Sequence, residues 1–562
     1  MRQEQVDSHI SHSKFFLKKH WRFLLPFPLV SLERHGTGPL AQTQTKPKPN
    51  QGNIHLTRKD TMMTSTTART TPAKKACTER KPNWKPQKHW VASLIVTGAL
   101  FARWSAKTAL LVALPLALCA VAIMPHATVA QTVGYVFTPI AFIPGSAPGG
   151  GSFINDFEPY AINDPGEIAF VADVDTGGEG IFTKRPGGPL TEIVRSGQAA
   201  PEGGTFDFTD LGHVALNNNG DGAFAFLLSP FTLPFGNNSG VYRFSRRTGR
   251  VTAVVVPGVT PVPGGGTFSG SFFNVSLNNP GDVAFTGMVP ASVGPGASIG
   301  LGLGIFQADK FGHISTLARP GDPAPGGNTF DYVTHPWIND SGAVAFGAHV
   351  TSDPCIAYGQ TLPVFIFCAE SIYKKSATGV IQSIAHQGQP APGGGTYQSA
   401  FGPAMNNAGA VVFVGDLIPA PNVGESLAVF LNTGATTISV ARPGDAMPGG
   451  GHIVTAGILA NGSYSLNNRG DVAFSARLDT DVNSDGAQDT GLYLRSGGSL
   501  RLVARTGTVI PGVGTVAHIN PPALSTSTGA QLSGGGAIND RGQIFFQVTL
   551  TDGTGVLLTA TP

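Results

Sequence analysis

The pattern N-x-x-G-x-x-(A/V/F)-F occurs seven times in this chain, and a repeat of that kind restricts the fold more than any other feature of the sequence. It reads NDPGEIAF from Asn163, NNNGDGAF from Asn217, NNPGDVAF from Asn278 and NDSGAVAF from Asn339. It continues as NNAGAVVF from Asn406, NNRGDVAF from Asn467 and NDRGQIFF from Asn539, at spacings of 54, 61, 61, 67, 61 and 72 residues. A second series is interleaved with the first: PGGGSF at Pro148, PEGGTF at Pro201, PGGGTF at Pro263, PGGNTF at Pro325, PGGGTY at Pro392, PGGGHI at Pro448 and PGVGTV at Pro511.

Each unit reads as four short strands. The first ends at the repeat Asn, and Asn-x-x-Gly supplies a tight turn, with Asn bonding the backbone ahead of it and Gly taking the left-handed conformation. The second is the alternating stretch that ends on the repeat Phe. The third opens with a small residue and two apolar ones, as in Gly180-Ile181-Phe182 and Gly240-Val241-Tyr242. A short Gly turn leads to the fourth. Alternating β-branched and aromatic residues between Gly, Asn and Pro turns are the signature of strands. Gly (74 residues) and Pro (43) are abundant while charged residues are only 13%, a composition that excludes helical bundles and coiled coils. The expected fold is all-β: a seven-bladed β-propeller with four antiparallel strands per blade. The segment YVFTPIAF matches a fourth strand only, and the last unit stops after its third, so the N-terminal strand is expected to complete the last blade and close the ring.

The repeats resemble those of bacterial secreted proteins built from tandem NxxGxxAF units, the choice-of-anchor repeat proteins, and the resemblance covers residues 131–562. It implies export and surface association and carries no general biochemical activity. Many members have a C-terminal sorting segment. This chain ends at Pro562 without an apolar span or basic tail, so neither covalent nor membrane anchoring is expected.

Charge divides the chain. Up to residue 130 there are 19 basic and 5 acidic residues; beyond it there are 18 and 29. An acidic, Lys-poor body argues against nucleic acid as a partner. Residues 1–86 are basic and Thr-rich without hydrophobic period, and read as a disordered extension or as sequence upstream of the true start. Residues 87–130 hold a secretory signal: Arg103 and Lys107, then the apolar run Ala109–Met124, then small residues up to Ala130. The run is short for a membrane span. After cleavage no membrane span is expected, and Cys355 and Cys368 remain, in one loop with twelve residues between them, reading as a local disulfide in an oxidising compartment.

Residues common to every repeat are explained by folding, so exceptions point to function. The connections between second and third strands hold from 8 to 24 residues and are expected on one face, the usual place for a binding surface on a repeat array. One of them carries Asp481, Asn483, Asp485 and Asp489 at positions 1, 3, 5 and 9, with Gly486 at the sharp turn and the carbonyl of Ala487 at position 7. Oxygen donors so spaced suit Ca²⁺. Leu492 stands where an EF-hand has its bidentate Glu; the loop instead resembles the calcium loops of FG-GAP propeller repeats. The mature region's single Trp, Trp337, follows His335 on an expected inner strand, with Asp331 and Tyr332 upstream, and alternation sets His335 and Trp337 on one side. His213 occupies the same repeat position as His335. Together they suggest either a hub-facing platform for a flat ligand or packing between blades. Arg195, Arg319, Arg442 and Arg505 recur at the exit of the fourth strand and suggest structural Arg–carboxylate pairs.

GASIG at residues 296–300 matches G-x-S-x-G formally but lacks the strand–helix context of a nucleophile elbow, and there is no HExxH, P-loop or dinucleotide fingerprint. The expected function is a secreted, calcium-stabilised, monomeric binding or surface-interaction module whose ligand is an extracellular glycan or surface protein. The alternative is an extracellular carbohydrate-active enzyme, a glycoside hydrolase or polysaccharide lyase working at the hub, with Asp331 and His335 as candidate catalytic groups.

Overall fold

The computed structural model describes residues 134–207, 214–230, 239–289, 302–358, 365–419, 426–457, 464–519 and 538–562. These residues form strands and no helix, and the strands make seven small antiparallel sheets set around an axis, a seven-bladed β-propeller. In blade one the order from the axis outward is Ser152–Ile162, Ile168–Val174, Gly178–Lys184 and Leu190–Arg195. Blade five repeats it as Thr396–Met405, Val411–Ile418, Leu427–Asn432 and Thr437–Ala441. Blade four adds a hairpin, Cys355–Tyr358 against Phe365–Cys368, between its second and third strands.

The ring closes as the sequence predicts. Blade seven is ordered Gly514–Ile519, Ile544–Leu550, Gly555–Thr561 and then Val136–Ile143, taken from the start of the described chain. Val136 pairs with Thr561 and Ile143 with Gly555, so the last blade has no missing strand.

Packing inside the blades explains why both motifs carry aromatic residues. The repeat Phe faces the third-strand aromatic directly across the ladder in six blades: Phe170 with Phe182, Phe224 with Tyr242, Phe285 with Phe306, Phe346 with Tyr373, Phe413 with Phe430 and Phe474 with Tyr493. All six pairs stack, with ring centroids 5.6–5.9 Å apart. The aromatic that closes the Pro-Gly-Gly motif meets the third-strand ring edge-on in five of them; Phe268 lies 4.9 Å from Phe306 at 90°. Offset and edge-to-face contacts are the favoured geometries for aromatic rings. The small residues beside them make room: a Cβ on Gly415 would lie 2.7 Å from the Tyr397 ring. Blade seven has Leu558 opposite Phe546, and there Phe137 of the closing strand meets Phe546 at 6.2 Å.

The alternating sense of the strands sorts the connections. Asn turns and third-to-fourth turns lie on one face. Second-to-third loops and Pro-Gly-Gly crossovers lie on the other, the loop face.

Candidate functional site: the axial mouth and the loop face

The repeat asparagines do more than shape their own turns. In every blade Asn Oδ1 accepts the backbone N–H four residues on, as from Ala410 to Asn406 at 3.0 Å. The Gly between them has a positive φ in all seven turns, from 79° to 97°. Each Asn Nδ2 then donates to the backbone oxygen of the corresponding Asn in the next blade: Asn163 to Asn217, on through Asn278, Asn339, Asn406 and Asn467 to Asn539, and from Asn539 back to Asn163. The seven bonds measure 2.9–3.3 Å and form a closed circuit of buried groups.

A second circuit lies beside it. The residues that follow are Asp164, Asn218, Asn279, Asp340, Asn407, Asn468 and Asp540, and each backbone N–H donates to the Oδ1 of the next, Asp540 donating to Asp164, at 2.7–3.0 Å. The sequence displayed this Asn/Asp position in all seven units, yet contacts between residues 54–72 apart leave no local pattern from which to read a ring. Together the circuits surround an axial recess of about 160 Å³ whose apolar wall includes Ile162, Leu277, Trp337 and Met405. With their amides and carboxylates engaged in the rings, the polar groups at this mouth form a fixed rim.

The hub candidates do not converge on the recess. Trp337 lines it; Asp331, Tyr332 and His335 do not. Strand Phe330–Ile338 carries a bulge between Thr334 and Trp337, which pair with Gly347 and Ala345, and His335 sits in it at φ 52°. The alternation that would set His335 beside Trp337 is therefore broken, and Thr334 takes that side. His335 is buried, with Nδ1 2.9 Å from Thr334 Oγ1 and 3.7 Å from Glu370 Oε2. Burial holds its pKa below the ordinary histidine value, with Glu370 opposing that shift. Glu370, absent from the sequence-derived set, accepts from Thr334 Oγ1 at 2.9 Å; it enters by a loop docked on the next blade through Ser399, a link no local pattern announces. The Asp331 carboxylate turns to His349, and Tyr332 Oη donates to the carbonyl of Cys368. Trp337 lines the recess and also packs between blades, against the apolar clusters of blades four to six. His213 lies outside the described residues.

On the loop face, the recurrent arginines staple crossovers as well as meeting carboxylates. Arg195 donates to the carbonyls of Pro148 and Gly150, Arg442 to those of Pro392 and Gly394, and Arg505 to those of Gly449 and Gly450. Arg195 also pairs with Glu192 at 2.8 Å and Arg505 with Asp489 at 3.1 Å; Arg319 lies 3.7 Å from Asp322.

In the loop from Asp481 to Asp489, Asp481 accepts the N–H groups of Asp485 and Gly486 at 3.2 and 3.1 Å. The N–H of Ala487 on Asp485 holds that carboxyl below the usual carboxylate range. The Asn483 Oδ1 atom is buried without a hydrogen-bond partner. Asp489 behaves differently from the other three: it is buried and engaged with Arg505, Thr480 and the N–H of Val482. It anchors the loop base from inside, where a cation ligand would have to compete with a guanidinium.

Among the described residues no helix is long and apolar enough to cross a membrane. No curated protein matches the chain in sequence. Solved structures similar to it include an oligogalacturonate lyase in complex with manganese, at 13% identity and a TM-score of 0.37, covering 76% of this chain and 96% of that one. TolB from Acinetobacter baumannii is similar at 12% identity and 0.31, over 63% of this chain and 64% of that one. A PL25 ulvan lyase is similar at 9% and 0.37, over 63% and 86%. A family model matches residues 145–560, nearly the whole propeller, and by that match the chain belongs to the Family of unknown function (DUF7453).

Proposed function

We propose that this protein is an exported, calcium-stabilised propeller that binds an extracellular glycan or surface protein on its loop face. The observation that carries the reading is the asymmetry of the two faces. One is occupied by hydrogen-bonded rings that all seven units contribute alike. The other carries connections of unequal length, where units differ, the usual place for a binding surface on a repeat array. The signal-like segment ahead of residue 131 and the resemblance to NxxGxxAF surface proteins support export. The placement of Asp331 and His335, buried and turned to neighbouring side chains, supports binding over hub catalysis, because a catalytic group has to reach its substrate.

The purified protein applied to a glycan array should bind without releasing reducing ends or unsaturated sugar. Shortening the loop at residues 230–238 or 290–301 should lower that binding while leaving the melting temperature unchanged. Turnover of a bound polysaccharide, or binding indifferent to every loop, would overturn the reading.

Calcium would be held by Asp481, Asn483, Asp485 and the carbonyl of Ala487, and the unpartnered Asn483 Oδ1 is what favours it. Adding Ca²⁺ at about a hundred times its Kd should stabilise the fold by about 2.7 kcal/mol. Chelator or Asp485→Ala should abolish the shift; a melting temperature indifferent to both retires the site. We also infer a Cys355–Cys368 bridge at the base of the blade-four hairpin, because the register sets the two residues directly opposite.

A further inference from the structure

At the loop-face end of blade four, Asp331, His349 and Cys368 are all buried, and one ligand-capable atom of each lies within 4.8 Å of the other two. No other such group occurs among the described residues. His349 is engaged at both ring nitrogens. Nε2 lies 3.0 Å from the backbone oxygen of Asp353, and Nδ1 lies 3.1 Å from Asp331 Oδ2. A carbonyl oxygen only accepts, so Nε2 carries a proton. Nδ1 and the carboxylate then face each other at a separation that two lone pairs tolerate only with a proton or a cation between them. Fixing the far nitrogen on a backbone carbonyl is also how proteins orient an imidazole for a metal. The Tyr332 ring lies against that of His349, 5.6 Å away at 17°, and its hydroxyl donates to the Cys368 carbonyl, so one side chain steadies both groups.

We propose that reduction of the Cys355–Cys368 bridge converts this cluster into a Zn²⁺ site, with Asp331 Oδ2, His349 Nδ1 and Cys368 Sγ as ligands and water in the fourth place. The proposal rests on the bridge inferred above. In the oxidised protein the Cys368 sulfur is spent in the S–S bond. A dithiol reductant gives two electrons and two protons, the S–S bond breaks, and the reductant leaves as its own disulfide. Zn²⁺ then displaces the Cys368 thiol proton and the Nδ1 proton to solvent. Mixed N, O and S donors suit Zn²⁺, whose tetrahedral ligands stand about 3.3–3.7 Å apart. The His349–Asp331 pair is already near that separation, and a freed Cys368 side chain needs only to rotate towards it.

The test is titration of the purified full-length protein with Co²⁺, read by the thiolate-to-cobalt absorption band and by displacement with Zn²⁺. Oxidised wild type should show no band. Wild type treated with dithiol, and Cys355→Ser without it, should each take up one equivalent. Cys368→Ser should show no band under either condition, and His349→Ala placed in Cys355→Ser should weaken Co²⁺ binding more than about tenfold. Thermal melts check that each variant is folded. A folded Cys355→Ser protein without the band, or a band unchanged by His349→Ala, overturns the proposal. Non-reducing peptide mapping separates the two claims: free thiols in wild type would refute the bridge alone, and the Cys355→Ser titration would still decide the metal site.

Discussion

A chain shortened to begin at Pro144 should fail to form a stable ring. The deleted strand, Val136–Ile143, supplies the outer ladder of blade seven and pairs with Gly555–Thr561 along its length. Its side chains join two cores: Phe137 packs with blade seven, while Ile140, Ala141 and Ile143 pack with the cluster that includes Phe153, Phe545 and Leu557. Full burial of a large apolar side chain is worth about 1.5–3 kcal/mol, so Phe137, Ile140 and Ile143, only partly buried, contribute roughly 3–6 kcal/mol together. Loss of that order is comparable with the whole stability of many domains, about 5–15 kcal/mol. It also leaves a bare strand edge, which invites association. The expected result is an aggregating or molten protein, rescued in part by a synthetic peptide of residues 134–143 that adds back as a strand. A shortened protein that stays monomeric and melts within a few degrees of the original would show that the seventh blade is complete without it.

The second large effect is expected at Asn406, which is buried and bonds at both ends of its amide: Oδ1 accepts from Ala410 N, and Nδ2 donates to the Asn467 carbonyl, each at 3.0 Å. Asn406→Ala leaves the Ala410 N–H without its partner, at about 1–3 kcal/mol, and takes from the Asn467 oxygen one of two donors, the other being the Gly470 N–H, at about 1 kcal/mol more, so roughly 2–4 kcal/mol in all. Asn406→Asp keeps the shape and the acceptor but sets a carboxylate oxygen against a carbonyl. It should therefore cost at least as much as alanine at neutral pH. The two variants then part company with pH. Burial raises the pKa of the new carboxyl in the folded state, so the folded protein binds its proton more tightly than the unfolded chain, and stability rises as pH falls through that folded value. A protonated Asp can also donate to Asn467. Thermal melts between about pH 7 and pH 5 should show Asn406→Asp recovering towards wild type and Asn406→Ala staying low. Equal, pH-independent losses would mean the ring bond contributes nothing beyond filling space.

Much of the fold was legible because the sequence states it seven times. The Asn-x-x-Gly turn, the small residue opening the third strand and the split last blade each follow from local rules, and Asn163, Gly180 and Val136 stand where those rules put them. The site was less legible, for reasons that can be named. Strand alternation holds only while pairing is regular, and the bulge at His335 separates it from Trp337. Asp331 and His349 are partners on adjacent strands, and that pairing depends on register across the Asn339 turn. Asp489 fits a cation-loop spacing as well as it fits its partner Arg505, because spacing records oxygen donors and says nothing of the guanidinium that reaches them from the next strand. The Asn rings were missed for the opposite reason: their members were plain in every repeat, and their constancy invited the reading that each served its own turn.

The direction of those bonds has an electrostatic corollary. Every amide in the inner circuit hands its hydrogen to the following unit, none to the preceding one, so the side-chain dipoles chase one another around the axis and cancel. In a seven-membered ring that cancellation applies to the dipole components lying across the axis. A charged solute approaching that aperture meets Asp164, Asp340 and Asp540, three carboxylates held by fixed donors, two of them adjacent where the circle joins.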